Sequence, residues 1–318
     1  MKDTQVVYIG IDVSKGTLDI DTRDFGAMRI ANTPVEVRKA LSALARKAGP
    51  EGTPQVCFES TGPYTGALVA ECQAKAIAYS ILNPHKVACF ARSVAHAKTD
   101  RADASAIRRY AEVKRPAPAR PPGKALARLD EFILAREATV KSLVALKSVL
   151  GTITDPAVMK HTRRIVAILE RKVAGFDRLI AEAVQADAEI SGLVGALGGV
   201  KGVGALTAAK AAAWMPEIGT PGRRKAAALT GLAPHTRESG QWKGKAGTGG
   251  GRKHVRDALY MAALSAITHD PVQEGFYRRL RDRGAPGKVA LTAVMRKLVC
   301  HLDAVARAHY ARRGGQAA

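Results

Sequence analysis

From its fifth residue the chain alternates apolar β-branched runs with polar turns. Residues 5–13, with Val6, Val7, Ile9 and Ile11, and residues 17–22 read as two strands joined by the tight polar turn Ser14-Lys15-Gly16. Met28 to Asn32 reads as a third strand. The period then lengthens. Thr33 as N-cap, Pro34 at the first helical position and Val37, Leu41 and Leu44 on one face predict a helix that stops near Gly49-Pro50. Gln55 to Ser60 is another apolar strand. A helix starting at Thr61-Gly62-Pro63 follows, with Leu68, Val69 and Cys72 inward. Tyr79 to Asn83 is a fifth strand, closed by Pro84, and from there to Arg115 the pattern is helical and basic. A three-strand meander, then helix, strand, helix, strand, helix, is the order of an RNase H-type α/β fold, assigned here to residues 1–115.

Pro116-Ala117-Pro118-Ala119-Arg120-Pro121-Pro122-Gly123 marks a Pro-rich linker over 116–123. Beyond it the helical period takes over. Leu126, Leu129, Ile133, Val140, Leu143, Leu146 and Leu150 share one stripe. Ile165, Leu169, Val173, Phe176, Leu179 and Ile180 share another. Together they predict a helical hairpin or coiled coil over 124–190, serving as an intramolecular spacer or a dimerisation arm. Residues 191–318 read as a mainly α-helical C-terminal domain. It opens with Gly198-Gly199-Val200-Lys201-Gly202-Val203-Gly204, a glycine turn between short helices that is helix-hairpin-helix-like and makes Lys201 a phosphate contact. Residues 222–256 hold nine Lys and Arg against the single acid Glu238, amid many glycines. They read as a flexible loop along a nucleic-acid backbone, with Lys243, Lys245, Arg252, Lys253 and Arg256 as contacts. Tyr260 begins a compact apolar stretch and reads as a packing residue. A final helix near 288–311 is apolar on one face and basic on the other, and the tail from Arg313 reads as disordered.

Charge sharpens the picture. The 318 residues carry 50 Lys and Arg against 28 Asp and Glu, a formal net charge of +22. Such a chain attracts polyanions, and nucleic acid is the obvious partner. Four cysteines without a CxxC pair read as reduced thiols, neither zinc site nor disulfide frame. No leader pattern and no membrane-length apolar run are visible, so a cytoplasmic protein with no membrane partner is expected.

Against this basic background, a few acids stand in costly places. Asp12 ends the first strand and Glu59 the fourth, and Asp100 and Asp103 are spaced to share a helix face. Carboxylates gathered around one pocket repel unless a hard cation lies among them, and oxygen donors favour Mg²⁺ or Mn²⁺. Asp19, Asp21 and Asp24 lack the strand-end setting and read as solvated charge.

At these acids the chain resembles the DEDD transposases of the insertion-sequence family numbered one hundred and ten, relatives of the Piv-type DNA invertases. The resemblance rests on Gly10-Ile11-Asp12-Val13-Ser14-Lys15, Glu59-Ser60-Thr61-Gly62 and Lys98-Thr99-Asp100-Arg101-Ala102-Asp103. It also rests on Gly231-Leu232-Ala233-Pro234, Ser239-Gly240, Gly244-Lys245, Gly251, Arg256 and Leu259-Tyr260-Met261. It implies a RuvC-like first domain whose Asp12, Glu59, Asp100 and Asp103 bind divalent metal. It further implies that Ser239 is a nucleophile forming a 5′-phosphoserine link to DNA. By the same resemblance, a structured non-coding (bridge) RNA guides donor and target DNA, and the protein acts as a homo-oligomer, a dimer or tetramer. Two rivals share the observations: a RuvC-like nuclease or junction resolvase without a covalent intermediate, and a non-catalytic nucleic-acid-binding protein.

Overall fold

The computed structural model describes residues 5–49, 52–59, 62–94, 100–119, 123–236, 238–239, 242–244 and 247–314. For residues 5, 63, 94, 100–102, 238–239 and 242–243 it describes the backbone alone. The chain divides into two units, Met1–Pro121 and Pro122–Ala318.

The first unit is built on one mixed sheet. Strands β1 (Gln5–Val13), β2 (Thr17–Thr22) and β3 (Gly26–Ala31) form an antiparallel meander. Helix α1 (Pro34–Ala48) leads to β4 (Gly52–Glu59), a 3₁₀ turn at Gly62–Thr65 and α2 (Gly66–Ala74) lead to β5 (Ala78–Leu82), and both new strands lie parallel to β1. The sheet order is β3-β2-β1-β4-β5. The basic stretch that follows is two helices, α3 (Pro84–Val94) and α4 (Asp100–Lys114), with 95–99 outside the described residues. The start of α1 follows the expected chemistry. Thr33 is extended, its side chain accepts from the Glu36 N–H, and Pro34 stands at the first turn, a cap worth about 1 kcal/mol.

The central strands are buried on both faces. Ile9, Ile11 and Val13 of β1 pack with Val56 and Phe58 of β4 and with Val37, Leu41, Leu68 and Cys72 of α1 and α2. On the other face Cys57, Leu82, Val87, Ile107 and Ala111 form a smaller core with Tyr8. Burial pushes the Cys57 and Cys72 thiols up to about 12, so both stay protonated at neutral pH and serve as core side chains. The first half of the Pro-rich stretch belongs to this unit. Gln55 Nε2 donates to the Pro116 carbonyl at 2.7 Å, Ser80 Oγ to the Ala117 carbonyl at 2.8 Å, and the Ala119 N–H to the Tyr79 carbonyl at 2.6 Å.

The second unit is mostly helical. Helices α5 (Lys124–Leu150) and α6 (Pro156–Gln185) pack along each other, with ion pairs Arg136–Asp177 and Lys147–Glu170 between them. Leu129, Ile133 and Ile180 join the core of α7 (Ala188–Gly198), α8 (Ala205–Trp214), α9 (Gly222–Leu229), α10 (Lys253–His269), α11 (Pro271–Asp282) and α12 (Gly287–Arg312). Farther along the pair, Val144, Ile165 and Ile168 are exposed. Between α9 and α10 lie four two-residue strands, β6 (Pro234–His235), β7 (Glu238–Ser239), β8 (Trp242–Lys243) and β9 (Gly247–Thr248). The buried Asp303 carboxylate of α12 accepts from the Gly219 N–H at 3.0 Å and pairs with Arg307 at 2.6 Å. No helix among the described residues is long and apolar enough to cross a membrane.

Candidate active site

Strand parity positions the acids. Side chains alternate along a strand, and residues directly opposite across two strands share a face. Because Ile9, Ile11 and Val13 fill the α1/α2 core, Gly10 and Asp12 belong to the opposite face, under α4. Gly10 is what lets α4 lie there. A Cβ at this position would stand 2.2 Å from the Ala104 carbonyl oxygen and 2.6 Å from the Arg108 nitrogen. In the parallel register Gly10 is opposite Cys57 and Ile11 opposite Phe58. The next step sets Glu59, the last residue of β4, beside Asp12 on the same face. The C-terminal ends of parallel strands are where α/β sheets commonly bind ligands.

The direction of α4 completes the arrangement. Ile107 and Ala111 pack with Tyr8 and Cys57, while Ala104 sits over Gly10. The helix therefore runs antiparallel to β1, and its first turn, Asp100 to Asp103, lies toward the Asp12 end. Asp103 is half-buried there. The side chain of Asp100, and Lys98-Thr99 before it, lie outside the described residues. Among the described side chains no three His, Cys, Asp or Glu converge as a metal site. The donor chemistry of Asp12, Glu59 and Asp103 is oxygen only, which suits a hard divalent cation.

Two acids on this face depart from expectation. Asp19 is opposite Asp12 in the antiparallel register and only 6% exposed, and both of its oxygens accept from Arg29, at 2.8 and 2.9 Å. Asp21, opposite Gly10, accepts from Arg108 at 2.8 Å, and Arg108 also reaches Glu112 at 2.7 Å. They are not solvated charge. They are neutralised in place, and the Asp21–Arg108 pair ties α4 to β2. The sequence carries only half of this: Asp-x-Asp on a strand puts both carboxylates on one face, but the arginines that meet them come from a neighbouring strand and from α4.

Ser239 sits on a ribbon in the second unit. Pro234 and His235 pair with Thr248 and Gly247, and Glu238 and Ser239 pair with Lys243 and Trp242. The described strands thus nest as an antiparallel ribbon, and only Gly240 and Gln241 separate Ser239 from its partner in the sequence. The side chains of Ser239 and Lys243, and all of Lys245, lie outside the described residues.

The ribbon's base is built from glycine. Gly231 has φ +69° and a Cβ there would meet the Gly250 oxygen at 2.1 Å; Gly251 has φ +62° and a Cβ there would meet the Gly231 nitrogen at 2.3 Å. The two backbones touch, and only residues without a side chain allow it. Arg256 Nη1 donates to the Thr230 carbonyl at 3.1 Å and the Gly250 carbonyl at 2.6 Å. Arg252 donates to the Trp214 carbonyl at 3.1 Å and pairs with Glu217 at 2.6 Å. Trp214 is itself anchored, its indole donating to Asp130 at 2.7 Å, and burial pushes the Asp130 carboxyl upward. Arg252 and Arg256, expected as phosphate contacts, are thus also tied into the ribbon's base. Lys253 pairs with Asp257. Tyr260 is 40% exposed rather than packed, because α10 buries Leu259, Ala262, Ala263 and Ala266, and Tyr260 is turned off that stripe. In the glycine turn before α8, Lys201 is exposed, and a Cβ on Gly202 would meet Ala266 at 2.7 Å. That glycine serves close helix packing.

These features agree with what the chain is similar to. Residues 9–155 match a DEDD family model described as transposase, and residues 195–278 match the Transposase IS116/IS110/IS902 family. Over 315 residues, 94% of this chain and 95% of the relative, it is 24% identical to the pilin gene-inverting protein of Moraxella bovis, and equally to that of Moraxella lacunata. These matches, together with the RNase H-like sheet and the mostly helical unit that follows it, define a DNA transposase or recombinase. Within that class, the chain carries two transposase domains matched by family models, the second of them that of the IS116/IS110/IS902 family.

Proposed function

We propose that this transposase is a site-specific recombinase of a mobile element that cuts and rejoins DNA through Ser239. The Ser239 hydroxyl attacks a backbone phosphorus, and a P–Oγ bond forms as the P–O3′ bond breaks. The seryl proton is lost, the 3′ oxygen leaves as a hydroxyl, and the 5′ phosphate stays on the serine. Attack by another strand's 3′ hydroxyl reverses the step and restores Ser239. Asp12, Glu59, Asp100 and Asp103 would hold a divalent cation, Mg²⁺ or Mn²⁺. When bound, it supplies Lewis-acid stabilisation of charge on the phosphoryl oxygens.

The observation that carries this reading is the parallel register of β1 with β4, which sets the strand ends carrying Asp12 and Glu59 side by side on the face that α4 covers. The relatives are named for inverting a gene, an outcome that needs religation as well as cleavage, and this favours recombination over plain hydrolysis. The net charge of +22 suits a chain that binds donor and target DNA together with a structured guide RNA. The α5–α6 pair, anchored at one end and exposed farther along, fits a coiled-coil arm for self-association as a dimer or tetramer. The α7–α8 turn fits a helix-hairpin-helix-like contact at Lys201.

A denaturing gel of protein incubated with cognate DNA and Mg²⁺ tests the mechanism. A protein–DNA adduct that disappears in Ser239→Ala, while DNA binding persists, is the expected result. Cleavage by Ser239→Ala without any adduct would instead mark a metal-dependent hydrolase of the resolvase type.

A further inference from the structure

The strand-cutting chemistry leaves one feature of the second unit without a role. A cleft of about 780 Å³ opens among the Gly199–Lys201 turn, the start of α9, the start of α11 and the middle of α12. Lys201, Arg223, Lys297 and His301 line it with positive or protonatable groups, and Val200, Leu298 and Val305 give it an apolar wall. Its size falls within the usual range for ligand pockets.

Gln273 also lines this cleft. The residue is only 9% exposed, and its Oε1 is buried with no hydrogen-bond partner. A buried amide oxygen left unmatched is costly. Its position in α11 explains why local structure does not satisfy it. Gln273 stands at the third helical position, where a Gln ordinarily closes a capping box by accepting from the N-cap N–H. Here that donor is already engaged, because the Asp270 N–H bonds the Ala266 carbonyl at 2.8 Å and ends α10. The one carboxylate on the cleft, Asp270, is occupied in capping the Val272 N–H at 3.1 Å.

The combination narrows the ligand. A fully ionised anion such as sulfate would satisfy the cations but has no hydrogen to offer an acceptor oxygen, and even hydrogen phosphate would leave the apolar wall unmatched. An apolar molecule would fill the wall and leave both charge and oxygen unmatched. A nucleotide brings all three: phosphates, a flat apolar face and ring or exocyclic N–H donors. We propose that this cleft receives an unpaired nucleotide of a bound nucleic-acid strand, the Gln273 side chain turning to present its Oε1 to an N–H of the base edge, with the flanking phosphates meeting Lys201, Arg223 and Lys297. The proposal rests on the reading of the chain as a nucleic-acid enzyme, but not on the chemistry of Ser239.

The test measures binding by the full chain in chelator, so that no strand is cut. Short single strands of DNA and RNA are compared with an abasic strand of the same phosphate count by fluorescence anisotropy. Wild type should prefer the base-bearing strand. Gln273→Met should lose roughly 3- to 10-fold on that strand, the size of one neutral hydrogen bond, and nothing on the abasic strand. Lys297→Ala should weaken both and flatten the salt dependence by about one unit or slightly less. The nucleic acid that shows the Gln273 effect, DNA or RNA, identifies the strand bound. Equal binding of both strands by wild type and Gln273→Met overturns the proposal. Should Gln273→Met melt early, a photoreactive base on the strand decides. Crosslinks to the segments around Lys201, Gln273 and Lys297 support the cleft, and crosslinks confined to other segments overturn it. A chain lacking the Gln273 effect can still form the Ser239 adduct, and one lacking the adduct can still show the Gln273 effect.

Discussion

In the first unit the acids ride on the ends of long, many-bonded strands. In the second, the serine rides on a ribbon of two-residue strands. The sheet positions Asp12 and Glu59 by register, which any slip by one residue would invert. The ribbon has too few ladder bonds of its own for that. Its position comes from its base, where Gly231 and Gly251 touch backbone to backbone and Arg256 binds two carbonyls. Regular secondary structure and local close packing thus reach the same end, a segment of backbone fixed in place, through different physics. Both also depend on a glycine in contact, since Gly10 seats α4 on β1 as Gly251 seats the ribbon on the α9 turn.

Replacing a strand-end acid should have the largest effect. Asp12→Ala or Glu59→Ala should lower strand cleavage by more than the ~100-fold that loss of an outer-shell partner costs a metal site. Melting should change little, as neither residue is part of an apolar core. Cleavage within a few-fold of wild type would remove the sheet end from the chemistry and break the comparison at its first term.

Gly251→Ala comes next. The added Cβ must move backbone in a left-handed conformation, and a shift of about 1 Å at a reacting group can cost on the order of 100-fold in rate. Stability should fall by about 1–3 kcal/mol, read by urea denaturation. Full adduct formation by this variant would show that the ribbon's base does not position Ser239.

Gly10→Ala is the matched test in the sheet. Its φ is not left-handed, so the penalty is overpacking alone, about 1–3 kcal/mol. Cleavage should drop less than in Gly251→Ala, because long strands keep Asp12 and Glu59 in place while α4 lifts. An equal or larger drop would say that the first turn of α4 matters as much as the strand ends.

The smallest effect concerns Glu71, where Arg38, bonded to both carboxylate oxygens, holds the carboxyl below its ordinary value. A depressed value in the folded state stabilises above the ordinary glutamate range. That contribution is lost as pH falls through the depressed value. Melting midpoints of wild type and Glu71→Gln should therefore converge in that acidic window and separate above it.

Much of the first unit was legible because its signals are local. The alternation of β1, the Thr33-Pro34 start of α1 and the strand-end acids all lie within a few residues of one another. The fates of Asp19 and Asp21 were not legible in the same way. Their partners Arg29 and Arg108 are brought to them by strand register and helix docking. The basic segment 222–256 was hard to read for a different reason. Glycine confers flexibility in a loop and permits close contact in a packed one, and composition does not separate the two. Charge is silent in a similar way, since Arg252 and Arg256 count toward a basic patch whether they meet phosphates or the chain's own carbonyls. Two-residue strands fall below any periodicity window, so the ribbon left no pattern to read.

The stitching of Pro116 to Ala119 onto Gln55, Tyr79 and Ser80 bears on how the first unit can be handled alone. It covers the outer margin of β5, where bare N–H and C=O groups would otherwise invite a foreign strand. A fragment ending at Arg115 should aggregate where one ending at Pro121 stays monodisperse, so the prolines that look like a tether act first as a selvage.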